Sequence, residues 1–276
     1  MQKMKKLALV MLITFLLGSC GEYQQVLNKG KNTEKYQMAV KMYEKKDYKK
    51  AITLFEKIMG PYANKPQMER IQYMISDCYF QTENYTMASY YFSKFITNYP
   101  ESSKAQEAAY LSAKSYYLAA PVYSRDQEDT YKALTAYQDF IDKFPNSELI
   151  EEANKDYAAL NRKLQFKDFE VARQYYHTER YKAAIQAFET FNEDHLGSEF
   201  KEETYYYSFK SAYVLGMKSV LVKKEERLNE AIRFYYKFQK TYPESDKMKE
   251  LNGMHEKLEE ELIKTKELFT TISQNN

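Results

Sequence analysis

Residues 71–100 read IQYMISDCYFQTENYTMASYYFSKFITNYP, and this stretch decides the fold. Ser76 and Tyr79 lie on one face of a predicted helix, and Ala88 and Phe92 lie on one face of a second helix. The small side chains at Ser76 and Ala88 let the two helices approach closely, while the large ones at Tyr79 and Phe92 fill the space beside them. The stretch therefore predicts a pair of packed helices.

The second half of this pattern occurs five times along the chain. An alanine is followed four residues later by an aromatic residue, and three residues after that by another large apolar one. The alanines are Ala51, Ala88, Ala133, Ala184 and Ala231. Three repeats end in an aromatic residue followed by proline, which stops a helix because it lacks a backbone N–H.

This repeat resembles the tetratricopeptide repeat, a helix pair of nominally about 34 residues. The steps between the alanines are 37, 45, 51 and 47 residues, which places inserts near residues 118–130, 146–165 and 216–228. The repeated prolines and unequal steps exclude a coiled coil. We predict an all-α fold, an α-solenoid of five tetratricopeptide-like helix pairs with a C-terminal capping helix, in which each repeat buries its apolar face against its neighbours.

The composition agrees with a helical stack. The 276 residues include 28 Tyr and 16 Phe, but only 7 Gly and 6 Pro, too few for a turn-rich β-sandwich or barrel. The predicted leader contains three of the 41 basic residues, which leaves 38 against 39 acidic ones. A nearly neutral chain argues against nucleic acid as a partner, because nucleic-acid binding needs a concentrated basic surface.

The N-terminus predicts export. Lysines precede an apolar run over residues 7–17, as in a secretory signal. The run ends in Leu17-Gly18-Ser19-Cys20, which resembles a bacterial lipobox. We predict a lipoprotein signal peptide over residues 1–19, with Cys20 acylated and anchored in the membrane. The alternative is an ordinary signal peptide in which the cysteine is incidental. Cys78, the other cysteine, is predicted to be buried.

Four further segments complete the predicted organisation. Residues 20–33 are polar and are predicted to form a lipidated tether. Residues 34–145 would hold repeats 1–3 and a candidate substrate groove, and residues 146–245 would hold repeats 4 and 5 as a candidate partner-docking half. Residues 246–276 would form the capping helix and tail.

A second set of aromatic residues recurs every 37 residues in the first helices of repeats 1–3. It lies about 90° to 110° around the helix from the packing stripe, so we expect it to line the concave wall. Tyrosine offers apolar area and a hydroxyl at low entropic cost, which suits an extended peptide. The alternative is that half of these residues pack between adjacent repeats or under the tether. The candidate peptide-binding residues are Tyr36, Tyr43, Tyr73, Asp77, Phe80, Tyr110, Lys114 and Tyr117. In repeat four the matching positions are Phe169, Arg173 and Tyr176.

The lipobox, the five repeats and the closing helix together resemble the BamD family, the lipoproteins of the β-barrel assembly machine. The most specific stretch runs from Phe144 to Tyr176, where one long helix is predicted to join repeats 3 and 4. The resemblance implies a scaffold on the periplasmic face of the outer membrane. Its N-terminal repeats would bind unfolded outer-membrane barrel precursors, and its C-terminal repeats would bind a BamA-like barrel-forming subunit. No nucleotide or small-molecule cofactor is implied.

The sequence departs from the family pattern in three places. Asp168 stands where we expect Glu, His195-Leu196-Gly197 replaces an aromatic–Pro ending, and the insert at 216–228 is unusual. That insert puts in doubt any transfer of residues that contact BamA.

Catalytic and metal-binding motifs do not appear in the sequence. The three histidines are far apart and lack nearby cysteines, and the chain contains no CxxC, HExxH, GxSxG or Walker motif. We therefore predict no enzyme, no catalytic residues and no metal site. Two other classes stay open: a tetratricopeptide lipoprotein that scaffolds cell-envelope or peptidoglycan machinery, and a glycan-binding lipoprotein of the SusD type. The second is disfavoured because the chain contains no Trp for sugar stacking.

Overall fold

The computed structural model describes residues 21–274, and these residues are all-α, without a β-strand among them. Residues 21–29 are helical and are labelled α1. The other helices are α2 (Asn32–Glu44), α3 (Tyr48–Tyr62), α4 (Gln67–Gln81), α5 (Tyr85–Asn98), α6 (Ala105–Ala119), α7 (Glu128–Lys143), α8 (Ile150–His177), α9 (Tyr181–Asp194), α10 (Lys201–Met217), α11 (Leu221–Thr241) and α12 (Met248–Gln274).

The chain divides into two compact units after Leu160. In the first unit, α2 with α3, α4 with α5 and α6 with α7 form three successive helix pairs. The start of α8 completes this unit, because Ala153 and Leu160 are buried in the same cluster as Tyr137. The boundary predicted at residue 145 therefore lies 15 residues before the division that the structure shows.

The second unit contains the rest of α8 with α9, the pair α10 and α11, and α12. Leu251 and Leu258 of α12 are fully buried against α11, which confirms the predicted capping helix. The 28-residue helix α8 is the long helix that the sequence predicts between repeats 3 and 4. The helix continues without a break because residues 150–177 contain no Gly or Pro.

The repeated packing residues occupy the positions predicted for them. All five repeat alanines are fully buried. The aromatic residues four positions later are also buried, and they are Phe55, Phe92, Tyr137, Phe188 and Tyr235. Alanine at the helix crossing brings the two backbones together, and the aromatic ring fills the space that remains. Because each repeat needs a small residue and an aromatic residue at these two positions, the tetratricopeptide-like pattern can be recognised in the sequence.

The tether prediction for residues 20–33 is wrong for its described part. Residues 21–29 are helical, and Tyr23 is only 7% exposed in the core of the first helix pair. Val26 and Leu27 pack against the same core. The reason is visible in the spacing, because residues 23, 26 and 27 form an apolar stripe on a helix. Cys20 and the predicted signal peptide lie outside the described residues.

Candidate functional site

The first two repeats bring three of the predicted groove residues together. The Tyr43 hydroxyl donates a 2.6 Å hydrogen bond to Asp77 Oδ2 on α4. The Tyr73 ring packs edge-on against Phe92 and Phe95 of its own repeat, with ring centroids 6.2 and 5.6 Å apart. These tyrosines are therefore half-buried, with one edge in the core and the other facing the surface.

The Tyr73 hydroxyl reaches across to the next repeat, where it hydrogen-bonds Glu107 of α6. Burial, together with this bond, raises the pKa of Tyr73 well above its usual range. Burial also tends to raise the pKa of Glu107, but hydrogen bonds from Lys104 and Tyr73 outweigh it and leave that pKa below its usual range. The phenol stays protonated and the carboxyl stays ionised at neutral pH, so the bond between repeats is a charge-assisted one.

The third repeat uses its candidate residues mainly for packing and for a contact with α8. Tyr110 is 7% exposed and lies edge-on to Tyr137 and Phe140. Lys114 Nζ lies 2.6 Å from Asp156 Oδ2 and 3.2 Å from Glu152 Oε1, both on α8. Burial tends to lower the pKa of Lys114, but its hydrogen bonds to these two carboxylates outweigh it and raise the pKa.

The remaining candidate residues make local aromatic contacts. Tyr36 stacks on Tyr62 of its own repeat, with centroids 5.6 Å apart. Phe80 lies edge-on to Tyr85 across the turn between α4 and α5. The Tyr117 ring lies under Lys114 Nζ at 5.1 Å. The predicted set is thus not one free aromatic surface, because much of each ring and most of the polar groups contact neighbouring helices.

A cleft of about 630 Å³ on the first unit is bordered by part of the predicted set. Tyr43, Tyr73 and Asp77 line it, whereas the other five candidates do not. Four charged residues that the sequence interpretation missed also line it: Glu69, Arg70, Lys104 and Glu107. A signal for two of them was available, because Arg70 and Glu107 each stand three residues before a tyrosine of the 37-residue series.

The cleft combines aromatic faces with charges of both signs. Lys104 Nζ lies 5.2 Å from the Tyr73 ring centroid and 2.8 Å from Glu107 Oε2. Arg70 is exposed at the rim. Such a surface can hold an extended peptide that presents aromatic side chains and a carboxylate.

In the second unit, the positions that match the groove set in repeat four are also packing residues. Phe169 is 4% exposed and stacks on Phe200 at 5.5 Å, while Arg173 lies over the Phe169 ring. Tyr176 lies edge-on to Tyr207 at 5.1 Å.

In the second unit, a phenol and a carboxylate join the last repeat to the capping helix. The Tyr206 hydroxyl donates to Glu250 Oε2 of α12 at 2.8 Å. Lys210 Nζ lies 2.9 Å from the other oxygen of that carboxylate. Both units therefore contain a tyrosine–glutamate contact between neighbouring helix layers.

Among residues 21–274, no group of three or more potential metal ligands lies close enough together to hold an ion. Over the same residues, none of the helices has the length and apolar character needed to cross a bilayer.

The sequence matches a known protein family. The model of the family YfiO, outer membrane lipoprotein, matches residues 28–228. The outer membrane protein assembly factor BamD of Rickettsia prowazekii is 26% identical over 182 residues, which are 66% of this chain and 72% of that protein. BamD of Caulobacter vibrioides is 26% identical over 160 residues, 58% of this chain and 52% of that protein.

Among solved structures, a Podospora anserina protein of nearly identical TPR-like repeats covers 75% of this chain, and this chain covers 96% of it. The sequences are 11% identical, and the TM-score is 0.32.

Proposed function

Because this chain belongs to the YfiO/BamD family of outer membrane lipoproteins, we propose that it is a scaffold of the β-barrel assembly machine. It binds unfolded outer-membrane barrel precursors and a BamA-like barrel-forming subunit, and so promotes insertion of the precursors into the outer membrane. It is not an enzyme, and the free energy comes from binding and from folding of the barrel. Acyl groups on Cys20 hold it on the periplasmic face of the outer membrane.

The cleft of the first unit carries the precursor-binding part of the proposal. Barrel precursors are unfolded when they arrive, so an extended segment of such a chain is accessible to a cleft of this size. Tyr43 and Tyr73 provide aromatic faces, and Arg70 provides a bidentate donor for a carboxylate. The partner-docking role goes to residues 146–245, none of which lines this cleft.

The choice of substitutions follows from the contacts of the cleft residues. Replacing Tyr73 by Ala removes a ring that packs on Phe92 and Phe95, so the loss of fold would be confused with loss of binding. Arg70 and Gln81 line the cleft and are exposed, so their truncation leaves the core packing intact. It removes one exposed hydrogen bond, from Gln81 Nε2 to Asp77 Oδ1 at 3.1 Å.

We expect Arg70→Ala with Gln81→Ala to weaken binding of a peptide from the C-terminus of a barrel protein by about tenfold, the loss of one charge-assisted contact. Lys94→Ala with Gln138→Ala is the matched control, because these residues are exposed on α5 and α7. Fluorescence anisotropy with the labelled peptide measures both. Equal affinity of the two folded variants would reject the cleft as the binding site.

Depletion of the protein tests the assembly role itself. We expect barrel proteins to disappear from the outer membrane, and the native lipoprotein to co-purify with a BamA-like subunit. Intact barrels after full depletion, or co-purification with peptidoglycan or division machinery instead, would favour the alternative of another cell-envelope scaffold.

A further inference from the structure

α1 is packed on the first helix pair from its first turn onward. The Tyr23 hydroxyl donates to the backbone oxygen of Lys50 at 3.3 Å, and Lys41 Nζ lies 3.0 Å from a Glu22 carboxylate oxygen. Only Gly21 and Glu22 lie between Cys20 and Tyr23, and the three steps of chain span at most about 11 Å. An acyl group on Cys20 therefore holds this end of the first helix pair close to the bilayer surface.

The end in question is the α2–α3 turn, because Lys41 stands in the last turn of α2 and Lys50 in the first turn of α3. This turn carries three exposed lysines, Lys45, Lys46 and Lys49. The acidic residues beside them are Glu44, which is exposed, and Asp47, which is paired with Lys50 at 2.7 Å. The turn as a whole is therefore cationic.

The geometry of the turn does not require this charge. Lys46 has a φ of 60°, and the equivalent turns of repeats 2 and 4 place Glu83 and Glu179 at φ 60° and 58°. A residue of either charge thus serves in the same left-handed position. Within the first unit, the next equivalent turn is Thr82-Glu83-Asn84 and carries no lysine.

We propose that the α2–α3 turn docks on the membrane surface, where Lys45, Lys46 and Lys49 contact anionic, phosphate-bearing lipid headgroups. The inference rests on the lipidated Cys20 of the proposed function. A basic cluster beside an acyl chain is a second attachment signal, since each lysine near an anionic surface strengthens binding. Because α1 is packed rather than flexible, docking also fixes the orientation of the first repeat against the bilayer.

The acylated full chain, inserted in vesicles of phosphatidylcholine and phosphatidylglycerol or of phosphatidylcholine alone, tests this contact, because neither lipid has an amine that reacts with the label. An amine-reactive ester followed by mass spectrometry reports the reactivity of each lysine. We expect Lys45, Lys46 and Lys49 to react about fivefold more slowly in the anionic vesicles, the size of one lysine–headgroup interaction. High salt should restore their reactivity. The internal controls are the exposed lysines Lys182, Lys249 and Lys264, whose reactivity should not depend on the lipid.

A pair of triple variants provides the second test, in the mature chain with Cys20→Ser, which removes the acyl groups and no described contact. Lys45→Gln with Lys46→Gln and Lys49→Gln should lower co-sedimentation with the anionic vesicles by about fivefold for each lysine removed. Lys182→Gln with Lys249→Gln and Lys264→Gln should leave it unchanged.

Equal reactivity of the three lysines in both kinds of vesicle, or equal co-sedimentation of the two triple variants, would overturn the inference and leave the assembly role standing. A native Cys20 without acyl groups would overturn the inference and the proposed anchor together.

Discussion

The Tyr137 hydroxyl donates a 2.6 Å hydrogen bond to Asp156, which lies 19 residues further along the chain in α8. The same carboxylate oxygen lies 2.6 Å from Lys114 Nζ of α6. Asp156 is 7% exposed and Tyr137 is fully buried. One buried carboxylate therefore joins α6, α7 and α8, and the stability of the third repeat depends on its charge.

Asp156→Asn should lower the free energy of unfolding by about 3 kcal/mol, because it leaves the half-buried Lys114 without its closest counter-charge. Tyr137→Phe should lower the free energy of unfolding by less, about 1–2 kcal/mol, since it removes one hydrogen bond to a charged group. Glu152→Gln is the control, because that side chain is 53% exposed and its contact with Lys114 is longer. Urea unfolding followed by circular dichroism measures all three. A larger loss for Glu152→Gln would contradict the network.

The lowered pKa of Glu107 predicts that the protein becomes less stable in acid. Its folded-state pKa is below the usual range, so the stabilisation is fully present above the unfolded pKa of about 4.3 and is lost as the pH falls through the folded pKa. Glu107→Gln should therefore flatten the decline of the urea midpoint between pH 6 and pH 3. Glu101→Gln, in the exposed turn before α6, should leave the decline as steep as in the wild type.

Two helical glycines should respond to alanine in opposite directions. A Cβ at Gly253 of α12 would meet nothing within 4 Å, so Gly253→Ala should raise the free energy of unfolding by about 0.5–1 kcal/mol through helix propensity. A Cβ at Gly216 would lie 3.2 Å from the Arg227 backbone oxygen and 3.3 Å from Leu228 Cδ2. Gly216→Ala should therefore destabilise the α10–α11 pair. Thermal denaturation measures the difference, and equal shifts would show that α11 yields to the added methyl.

Cys78 should be unreactive in the folded protein. Its side chain is fully buried, and burial together with the charge of Asp77 raises the pKa of its thiol. In a Cys20→Ser background, Ellman's reagent should modify Cys78 on the order of a hundredfold more slowly in buffer than in urea. Rapid modification in buffer would show that the second repeat opens locally.

The helix pairs were predictable because their signal is local. A repeat alanine and the aromatic residue four positions later make the same contact in every pair, so their spacing alone shows the pattern. The helical character of residues 21–29 was also present in the sequence, in the spacing of Tyr23, Val26 and Leu27, but the polar residues between them favoured a tether.

The cleft was only partly predictable because its partners are far apart in the chain. Tyr73 was found from the 37-residue period, but its acceptor Glu107 belongs to the next repeat, and nothing local links the two. Tyr110 has the same place in the period and also bonds a glutamate of the following repeat, Glu152 of α8. The two acceptors lie 34 and 42 residues after their tyrosines. Because the repeat lengths differ, no fixed spacing in the sequence reveals these partners.

The bond from Tyr43 to Asp77 has a consequence for how a gene of this kind can change. The residue equivalent to Asp77 in the following repeat is Lys114. Loss of the second repeat by recombination would therefore bring the Tyr43 phenol opposite an ammonium group in place of its carboxylate acceptor. The next two junctions both carry a tyrosine–glutamate pair, so loss of the third repeat would still leave Tyr73 a glutamate acceptor in Glu152. Loss of the second repeat is thus expected to need a compensating substitution, whereas loss of the third would keep the polar pair at its junction.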